Sequence, residues 1–313
     1  MRKVALIYNP ISGQHSASRQ RSFDAVLRTL RDANIIVEPW QTDGPDAGAR
    51  LARKAADEGF DTVLACGGDG TVHAALQGLA GSQTALGVIP FGTANALAVG
   101  LGLAGAPQRA AKKLLHAVPT RVPVGRIFYH DEEAREQSRY FIVAAGVGPD
   151  AQLMAAMDAG LKRRFGYVLY LVEGLRIWLG GSFPVFEARF GTGRPYTRRL
   201  SQLLVIRVRS LGGAIGSLVP GASLRSDSLR MLAFATQSRW HYLQFVTGAV
   251  LGHHRFSKIV DLFETGDVGC DAPENERMSL LAEADGEVLG RLPVRLAMVP
   301  DALTLLVPEE IAI

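Results

Sequence analysis

Short apolar runs alternate with helical patterns over the first hundred residues of the chain. Runs typical of buried strands lie at 4–8, 35–37, 62–65 and 85–89. Apolar residues recur at helical spacing at 23–30, 47–55, 70–79 and 94–101. Because strand and helix alternate, this part of the chain predicts an α/β domain with a parallel sheet and helices on both faces.

The pattern changes after residue 120. Strand-length runs of β-branched and aromatic residues lie at 121–129, 139–145, 184–190, 200–209, 229–235 and 258–264. Helical patterns interrupt this series at 151–178 and 238–252. The series predicts a second domain rich in antiparallel strands, a β-sandwich. We expect the first domain to cover 1–120 and the second 121–300, with a last strand at 303–307, inside 301–313, returning to the first domain.

Three glycine-bearing loops follow strands of the predicted parallel sheet. They are Asn9-Pro10-Ile11-Ser12-Gly13, Gly67-Gly68-Asp69-Gly70-Thr71 and Pro90-Phe91-Gly92-Thr93-Ala94-Asn95. Ligands of such sheets bind beyond the carboxyl ends of the strands, so the three loops together predict one site.

The loop that begins at Gly67 has the character of a phosphate site. A strand that passes through glycines into a helix leaves backbone N–H groups for an anion at the positive end of the helix dipole. Asp69 is the unexpected residue, because a carboxylate beside phosphate is repulsive unless it contacts ribose, a metal ion or a nucleotide hydroxyl. The loop therefore predicts a nucleotide site that also uses Mg²⁺. The alternative is a glycine-rich turn in which Asp69 is an ordinary acid at a helix start.

Two acids one residue apart, Asp285 and Glu287, are the second candidate for chemistry. Phosphoryl transfer requires positioning, charge neutralisation and an oriented acceptor hydroxyl. One carboxylate can accept the hydroxyl proton while the other helps to hold Mg²⁺. The alternative is an Asp-Gly hairpin turn, which joins strands routinely.

Composition and charge narrow the classes of function. With 48% hydrophobic and 20% charged residues the chain is typical of a globular protein, and its net charge of +4 is mild. Nucleic-acid binding ranks last, because the basic residues are scattered and no recognised nucleic-acid module appears. Two cysteines argue against a disulfide scaffold and favour a reducing cytosol. The apolar stretch 167–183 is interrupted by Glu173 and Arg176, and no signal-peptide pattern precedes the first strand. We expect a cytoplasmic protein without a transmembrane segment, associated with membranes peripherally at most.

Three smaller features have both a structural and a functional interpretation. Cys66 abuts the glycine loop, and we expect a buried residue at a strand end rather than an alkylation-sensitive thiol. The aromatic and basic segment 239–255 is consistent with a membrane-facing patch, but packing of a helix on the sandwich is the favoured interpretation. The pair His253-His254 has no third ligand at metal spacing, so we expect a polar helix end.

Six short sequences occur in the order found in one known family. They are Asn9-Pro10-Ile11-Ser12-Gly13, Gly67-Gly68-Asp69-Gly70-Thr71, Gly92-Thr93-Ala94-Asn95, Gly146-Val147-Gly148-Pro149-Asp150-Ala151, Lys162-Arg163-Arg164-Phe165-Gly166 and Asp285-Gly286-Glu287. Through this ordered set the chain resembles the diacylglycerol kinase catalytic-domain family of soluble bacterial lipid kinases, which is related to sphingosine kinases and to NAD kinase. The resemblance spans nearly the full length.

The resemblance implies a two-domain kinase with ATP in the cleft between the domains. The N-terminal domain is expected to be like that of NAD kinase and phosphofructokinase, and the C-terminal domain is expected to be a β-sandwich. The residues implied in nucleotide binding are Asn9, Thr42, Gly67, Gly68, Asp69, Gly70, Thr71, Val72, His73, Gly92, Thr93 and Asn95.

The resemblance also implies catalytic and metal-binding residues. Asp285 is the implied general base, with Glu287 and Asp69 as further catalytic acids. The implied metal ligands are Asp227 and the backbone carbonyls of Leu224 and Leu229. ATP and Mg²⁺ are the implied cofactors, and the implied partner is a lipid substrate at a membrane surface.

Three departures from the family pattern bear on these assignments. His73-Ala74 replaces a common Asn-Glu, Ala96 replaces a common Asp, and Ser228 replaces a common Gly. The loss of two acids near the phosphates leads us to expect weaker metal binding or an altered nucleotide pose. We expect activity to be retained, because the other acids of the implied site are present.

The leading hypothesis is an ATP-dependent, Mg²⁺-requiring kinase that phosphorylates a hydroxyl of diacylglycerol or a similar lipid. NAD kinase, which shares the Gly-Gly-Asp-Gly-Thr loop, is the alternative among enzymes. A nucleotide- or lipid-binding protein that has lost catalysis is the alternative of another class. The sequence leaves open the identity of the lipid, the choice of ATP over other nucleotides and the oligomeric state, a homodimer included.

Overall fold

The computed structural model describes residues 1–9, 17–131, 133–149, 151–152, 183–191, 196–210, 219–250, 260–277, 280–311 and 313. They divide into two units, Met1–Val124 with Pro300–Ile313, and Gly125–Val299. Several sequence features lie outside the described residues. These are the loop residues 10–13, Asp150, the basic sequence 162–166, most of the helical pattern 151–178 and the histidine pair 253–254.

The first unit is built on a parallel sheet. Its strands are β1 (Lys3–Tyr8), β2 (Ile36–Gln41), β3 (Thr62–Gly67), β4 (Ala85–Pro90) and the end of the final strand, β15 (Glu287–Pro308). The order across the sheet is β15-β4-β3-β1-β2, and Thr304 of β15 lies in parallel register with Ala85 of β4. The predicted α/β class with a parallel sheet is confirmed.

Helices connect these strands. They are α1 (Ala17–Asp32), α2 (Ala47–Asp57), α3 (Asp69–Leu79), α4 (Ala96–Gly100) and α5 (Pro107–Leu114). The helix predicted at 94–101 begins later, because Asn95 has φ 51° and cannot belong to a right-handed helix. Helix α5 was not predicted. Strand β2 is longer than the 35–37 run. Among the described strands it pairs with β1 alone, and its mostly exposed residues carry no apolar pattern that could have predicted it.

Helices α2 and α3 approach each other closely through small residues. A Cβ atom at Gly78 would lie 2.3 Å from the backbone oxygen of Ala49, and one at Gly48 would lie 2.7 Å from the Cβ of Ala74. Ala74, one of the departures from the family pattern, thus lies at a close contact between the two helices. The neighbouring His73 is 3% exposed, and its Nε2 lies 3.3 Å from the side-chain nitrogen of Gln77.

The second unit is rich in antiparallel strands. They are β5 (Ala117–His130), which begins in the first unit, β6 (Glu136–Phe141), β7 (Ala144–Val147), β8 (Phe186–Phe190), β9 (Tyr196–Leu200), β10 (Gln202–Ile206), β11 (Leu229–Phe234), β12 (Val260–Thr265), β13 (Asp267–Asp271), β14 (Leu281–Ala284) and the first part of β15. One series of paired strands runs β12-β11-β10-β7-β14-β15. A second runs β9-β8-β13-β15, and β5 pairs with β15 and β6. Both series contribute to one buried core, which includes Phe186 and Val205, so the predicted β-sandwich is confirmed.

Several predicted strand boundaries were wrong. The run 139–145 is divided between β6 and β7, and the run 200–209 is divided at Ser201 between β9 and β10. Strands β13 and β14 and the first part of β15 were not predicted. The charged and glycine residues of β13 have low strand propensity, and its pairing with β8 and β15 outweighs that preference.

Helix α6 (Arg239–Val250) packs aromatic side chains against the sandwich. The Tyr242 ring is stacked 4.5 Å from that of Phe183 and 5.2 Å from that of Phe234, and the Phe245 ring lies 4.9 Å from Phe234. Trp240 is 66% exposed. The predicted core packing is therefore confirmed for Tyr242 and Phe245 but was wrong for Trp240. Helix α7 (Glu274–Arg277) precedes β14.

In the part of the chain that the structure describes, no helix combines the length and the apolar character needed to cross a bilayer.

Both cysteines should be unreactive in the folded protein. Cys66 and Cys270 are buried, and desolvation raises the pKa of each thiol above its ordinary range. Because the thiolate is the reactive form, we expect no labelling by a thiol reagent such as DTNB at about pH 8, and two labelled thiols in denaturant. The raised pKa values also predict that the free energy of unfolding falls as the pH rises above the ordinary thiol pKa of about 8.5. Rapid labelling of the native chain would contradict this burial.

Candidate active site

The polar loops of the first unit gather at the carboxyl edge of its sheet. Asn9 follows β1, Thr42 follows β2, Gly68 follows β3 and Phe91 follows β4. The backbone N–H of Thr42 donates to the carbonyl oxygen of Tyr8 at 2.9 Å, so the ends of β1 and β2 are tied together. The edge that the sequence predicted as a ligand site therefore does collect these loops.

The glycine loop passes directly from β3 into α3. Gly68 is extended, with φ −92° and ψ −169°, and its carbonyl accepts hydrogen bonds from the N–H groups of Thr71 (3.0 Å) and Val72 (3.2 Å). A Cβ at Gly67 would lie 2.1 Å from Thr71 Oγ1, so this strand end requires glycine. The first turn of α3 then presents its backbone N–H groups and the positive end of its dipole at the sheet edge.

The carboxylate of Asp69 connects this loop to the loop after β4. Oδ2 accepts from the backbone N–H of Asn95 at 3.0 Å, and Oδ1 accepts from that of Ala96 at 2.7 Å. Asp69 lies in the first turn of α3, but its carboxylate satisfies amides at the start of α4. From the sequence we expected ribose, a metal ion or a nucleotide hydroxyl as the partner of this acid, whereas in the structure each of its oxygens accepts a backbone amide.

Asn95 closes the second loop on itself. Its Oδ1 accepts from the Gly92 N–H at 3.0 Å, and its Nδ2 donates to the Gly92 carbonyl at 2.7 Å. A Cβ at Gly92 would lie 2.5 Å from the Cα of Gly68, so the two loops are in backbone contact. Glycine at both positions is what permits this approach. The two loops form a single structural element.

The predicted nucleotide residues differ in accessibility. Gly70, Gly92 and Thr93 are exposed, whereas Val72 and His73 are buried. Among the described residues, no heavy atom lies within 4 Å of a Cβ built at Gly70. The start of α3 is therefore accessible at Gly70, whereas Val72 and His73 belong to the buried side of the helix.

Sequence reasoning missed a cation at this edge. The guanidinium carbon of Arg19, in α1, lies 5.2 Å from the centroid of the Phe91 ring. The Phe23 ring lies 4.7 Å from Tyr8 and 6.5 Å from Phe91, which completes an aromatic support. Partial burial lowers the pKa of Arg19, and the neighbouring Cys66 acts in the opposite direction. The signal that could have identified Arg19 is its position four residues before Phe23 on one helical face.

In the second unit, Asp285 and Gly286 form the two-residue turn of the β14–β15 hairpin. Their φ angles are 50° and 85°, as a tight hairpin turn of this kind requires. The hairpin interpretation is thus confirmed, and it does not exclude a functional one. Buried Glu283 supports the turn by accepting the Gly286 N–H at 2.9 Å. The Glu287 side chain, by contrast, belongs to an exposed residue.

Both carboxylate oxygens of Asp285 are held by backbone amides. Oδ2 accepts from Ile142 N–H at 3.0 Å, while Oδ1 accepts from Val143 at 2.8 Å and Ala144 at 3.0 Å. The backbone N–H of Asp285 also donates to the Ala144 carbonyl at 2.8 Å. A carboxylate offers about four lone-pair sites, so most of its acceptor capacity is used.

The residues implied as metal ligands do not fit a metal ion as they stand. The Leu224 carbonyl accepts a hydrogen bond of 3.1 Å from Nη2 of Arg207, a buried arginine that the sequence did not single out. Leu229 begins β11, and Asp227 lies close enough to Arg207 to influence its pKa. Desolvation lowers the Arg207 pKa to about 10, against the opposing effects of Asp285 and Asp227. Nor do the described residues contain any group of three or more His, Cys, Asp or Glu side chains placed to hold a metal.

Two family models match the chain. Residues 3–127 match the diacylglycerol kinase catalytic domain. Residues 142–307 match the YegS C-terminal NAD kinase beta sandwich-like domain, which covers more than half of the chain.

Curated relatives match over nearly the full length. A diacylglycerol kinase of Mycobacterium tuberculosis is 30% identical, with 98% of this chain and 96% of the relative covered. A diacylglycerol kinase of Bacillus subtilis strain 168 is 25% identical, with 99% and 98% covered.

Solved structures share the fold. A crystal structure of a diacylglycerol kinase from Bacillus anthracis has a TM-score of 0.71 at 18% identity, with 99% of this chain and 98% of that chain covered. Yeast NADH kinase complexed with NADH has a TM-score of 0.51 at 8% identity, with 99% and 84% covered. At these identities the likeness concerns the fold alone. On the family models and the relatives, the chain belongs to the diacylglycerol kinase family, a family of phosphotransferases that act on an alcohol group.

Proposed function

We propose that this chain is an ATP-dependent lipid kinase that phosphorylates a hydroxyl of diacylglycerol or a similar lipid. The observation that carries the proposal is the joined pair of loops at the carboxyl edge of the first sheet, where open backbone at Gly70 meets the start of α3. Membership of the diacylglycerol kinase family supports the same conclusion.

The two joined loops are proposed to bind the triphosphate. The backbone N–H groups at the start of α3 and at exposed Thr93 are proposed to donate to phosphate oxygens. Asn9 and Thr42, at the ends of β1 and β2, are proposed to contact the rest of the nucleotide. Mg²⁺ bound with ATP would supply charge neutralisation on the phosphoryl oxygens. Asp69 contributes by holding the loops in register, because its oxygens accept two backbone amides.

The hairpin turn of the second unit is proposed to supply the proton acceptor. Asp285 is the residue that the family resemblance implies, but three amide hydrogen bonds already engage its carboxylate. We therefore propose that the carboxylate of exposed Glu287 accepts the proton of the lipid hydroxyl, and that Asp285 fixes the turn. Catalysis by this turn requires that it meets the γ-phosphoryl group of the nucleotide during the reaction.

A direct phosphorylation assay tests the proposed function. We expect purified chain, labelled ATP and mixed micelles of diacylglycerol to yield labelled phosphatidic acid, with Mg²⁺ required. A total lipid extract in a parallel reaction identifies a different acceptor if diacylglycerol is a poor one. Formation of NADP from NAD would favour the NAD kinase alternative, which the fold also permits. A rise in melting temperature with ATP, without turnover on any lipid, would favour a protein that has lost catalysis.

Asp69→Asn should weaken nucleotide binding through loss of the loop connection. The amide places an N–H donor where a carboxylate oxygen now accepts a backbone N–H, so we expect a loss of about 1–3 kcal/mol in the free energy of unfolding. We also expect the ATP dissociation constant to rise by about tenfold or more, since about 1.4 kcal/mol corresponds to tenfold. Urea unfolding and calorimetric ATP titration measure the two effects. Asp57→Asn, on the exposed end of α2, is the matched control and should change neither. Unaltered ATP affinity in Asp69→Asn would refute this role.

Two variants distinguish the proton acceptor from the residue that holds the turn. They are Glu287→Gln and Asp285→Asn. For Glu287→Gln we expect turnover to fall roughly 10²–10⁴-fold, with the melting temperature and the ATP affinity retained. For Asp285→Asn we expect a lower melting temperature, because three hydrogen bonds from backbone amides to a carboxylate are disturbed. If Glu287→Gln keeps the wild-type rate while folded Asp285→Asn loses it, the proton acceptor is Asp285. Full activity in both variants would show that the turn takes no part in catalysis.

A further inference from the structure

Arg207 is a buried cation whose hydrogen bonding is incomplete. It follows β10, and its side chain is among the largest that are fully buried, with the residue 2% exposed. Nη2 donates to the carbonyls of Leu224 (3.1 Å) and Ser226 (3.5 Å). Nε and Nη1 are buried without a hydrogen-bond partner among the described residues. Burial of an ionised group is costly, so a guanidinium in this place requires nearby negative charge.

Two acids supply that charge. Asp285 and Asp227 both act on Arg207 in the direction that favours its charged form. The backbone fixes this arrangement, because the N–H of Arg207 donates to the Val143 carbonyl at 2.9 Å and the N–H of Val143 donates to Asp285 Oδ1 at 2.8 Å. Arg207 and the hairpin acid are therefore anchored on the same residue.

We propose that the Arg207 guanidinium takes the place of the metal ion that the family resemblance assigns to the segment 224–229. It donates to the Leu224 carbonyl, which is one of the implied ligands, and it lies within electrostatic reach of exposed Asp227, which is another. It also provides positive charge beside Asp285. In this chain the segment is held by a covalently attached cation and needs no divalent ion.

A divalent cation at the same ligands would compete with the guanidinium. It would have to share the Leu224 carbonyl with Nη2 of Arg207, and its charge would be repelled by that of the buried guanidinium at short range. Calcium and magnesium sites of proteins are assembled from several oxygen ligands, and here one of them is already engaged.

The departure at Ser228 is consistent with this arrangement. Ser228 Oγ lies 2.8 Å from Ser226 Oγ and donates to Glu264 Oε1. Glu264 also accepts from Nη2 of Arg230 at 3.0 Å. Side-chain hydrogen bonds therefore fix the turn at 226–228, next to the carbonyls that accept from Arg207.

Thermal unfolding of the nucleotide-free full chain tests this proposal separately from any kinase activity. We expect the wild-type melting temperature to be equal, within about 1 °C, in EDTA and in millimolar MgCl₂. Arg207→Ala should melt several degrees lower in EDTA, where about 2–4 °C corresponds to each kcal/mol for domains of this size, and MgCl₂ should recover part of the loss. That recovery should vanish when Asp227→Asn is added. Arg207→Lys, which keeps the charge, should not respond to MgCl₂.

Arg230→Ala is the matched control. This change removes a cation from the same region, but Arg230 pairs with Glu264 and Arg207 still donates to the Leu224 carbonyl. The melting temperature of this variant should therefore not depend on MgCl₂. A wild-type increase with MgCl₂ that Asp227→Asn abolishes would overturn the proposal. So would a folded Arg207→Ala that responds to MgCl₂ no more than Arg230→Ala does. If Arg207→Ala does not fold, Mn²⁺ titration followed by electron paramagnetic resonance decides. Binding to wild type that Asp227→Asn removes refutes the proposal, and its absence supports it.

Discussion

The candidate nucleotide site depends on the Asp69 carboxylate, which joins two loops that are distant in sequence. Its oxygens accept the amides of Asn95 and Ala96, and the same loops touch at Gly68 and Gly92. The carboxylate supplies hydrogen bonds between the loops, and the two glycines allow their backbones to come into contact. The carboxylate is not sufficient alone, because a Cβ at Gly92 would separate the loops that Asp69 joins. Loops joined in this way position amide donors before any ligand arrives, and this would lower the entropic cost of the phosphate binding that we propose.

The second unit uses a carboxylate in the same way. Asp285 accepts three amides from the link between β6 and β7 and from the first residue of β7, so the hairpin turn is held to a neighbouring part of the sandwich. Both acids thus organise the backbone through amide hydrogen bonds. A sequence motif that contains an acid does not show whether the carboxylate takes part in the reaction or holds the backbone in place. Exposure separates the two cases here, since Glu287 is exposed on the turn that Asp285 fixes.

The sequence predicted those parts of the fold whose signals are local. The buried strands β1, β3 and β4 carry continuous apolar runs, and the glycine loops after β3 and β4 were placed at the correct edge. The strand β2 was only partly predicted, because an exposed edge strand has no such run. The partners of Asp69 and Asp285 lie 26 to 27 and 141 to 143 residues away, and no spacing rule connects them. Arg207 did leave a signal: it is a single charge within the apolar run from Leu203 to Val208.

The charges around Arg207 must be understood as one coupled set. Asp227 and Asp285 both favour the charged form of Arg207, so the effect of changing Arg207 depends on whether these two acids remain charged. A guanidinium also differs from a metal ion in that it cannot dissociate. The balance of charge beside the hairpin turn is then set by the sequence and stays constant when the concentration of divalent ions changes. In a kinase whose nucleotide arrives with its own metal ion, this arrangement would separate the support of the turn from the supply of metal for the reaction.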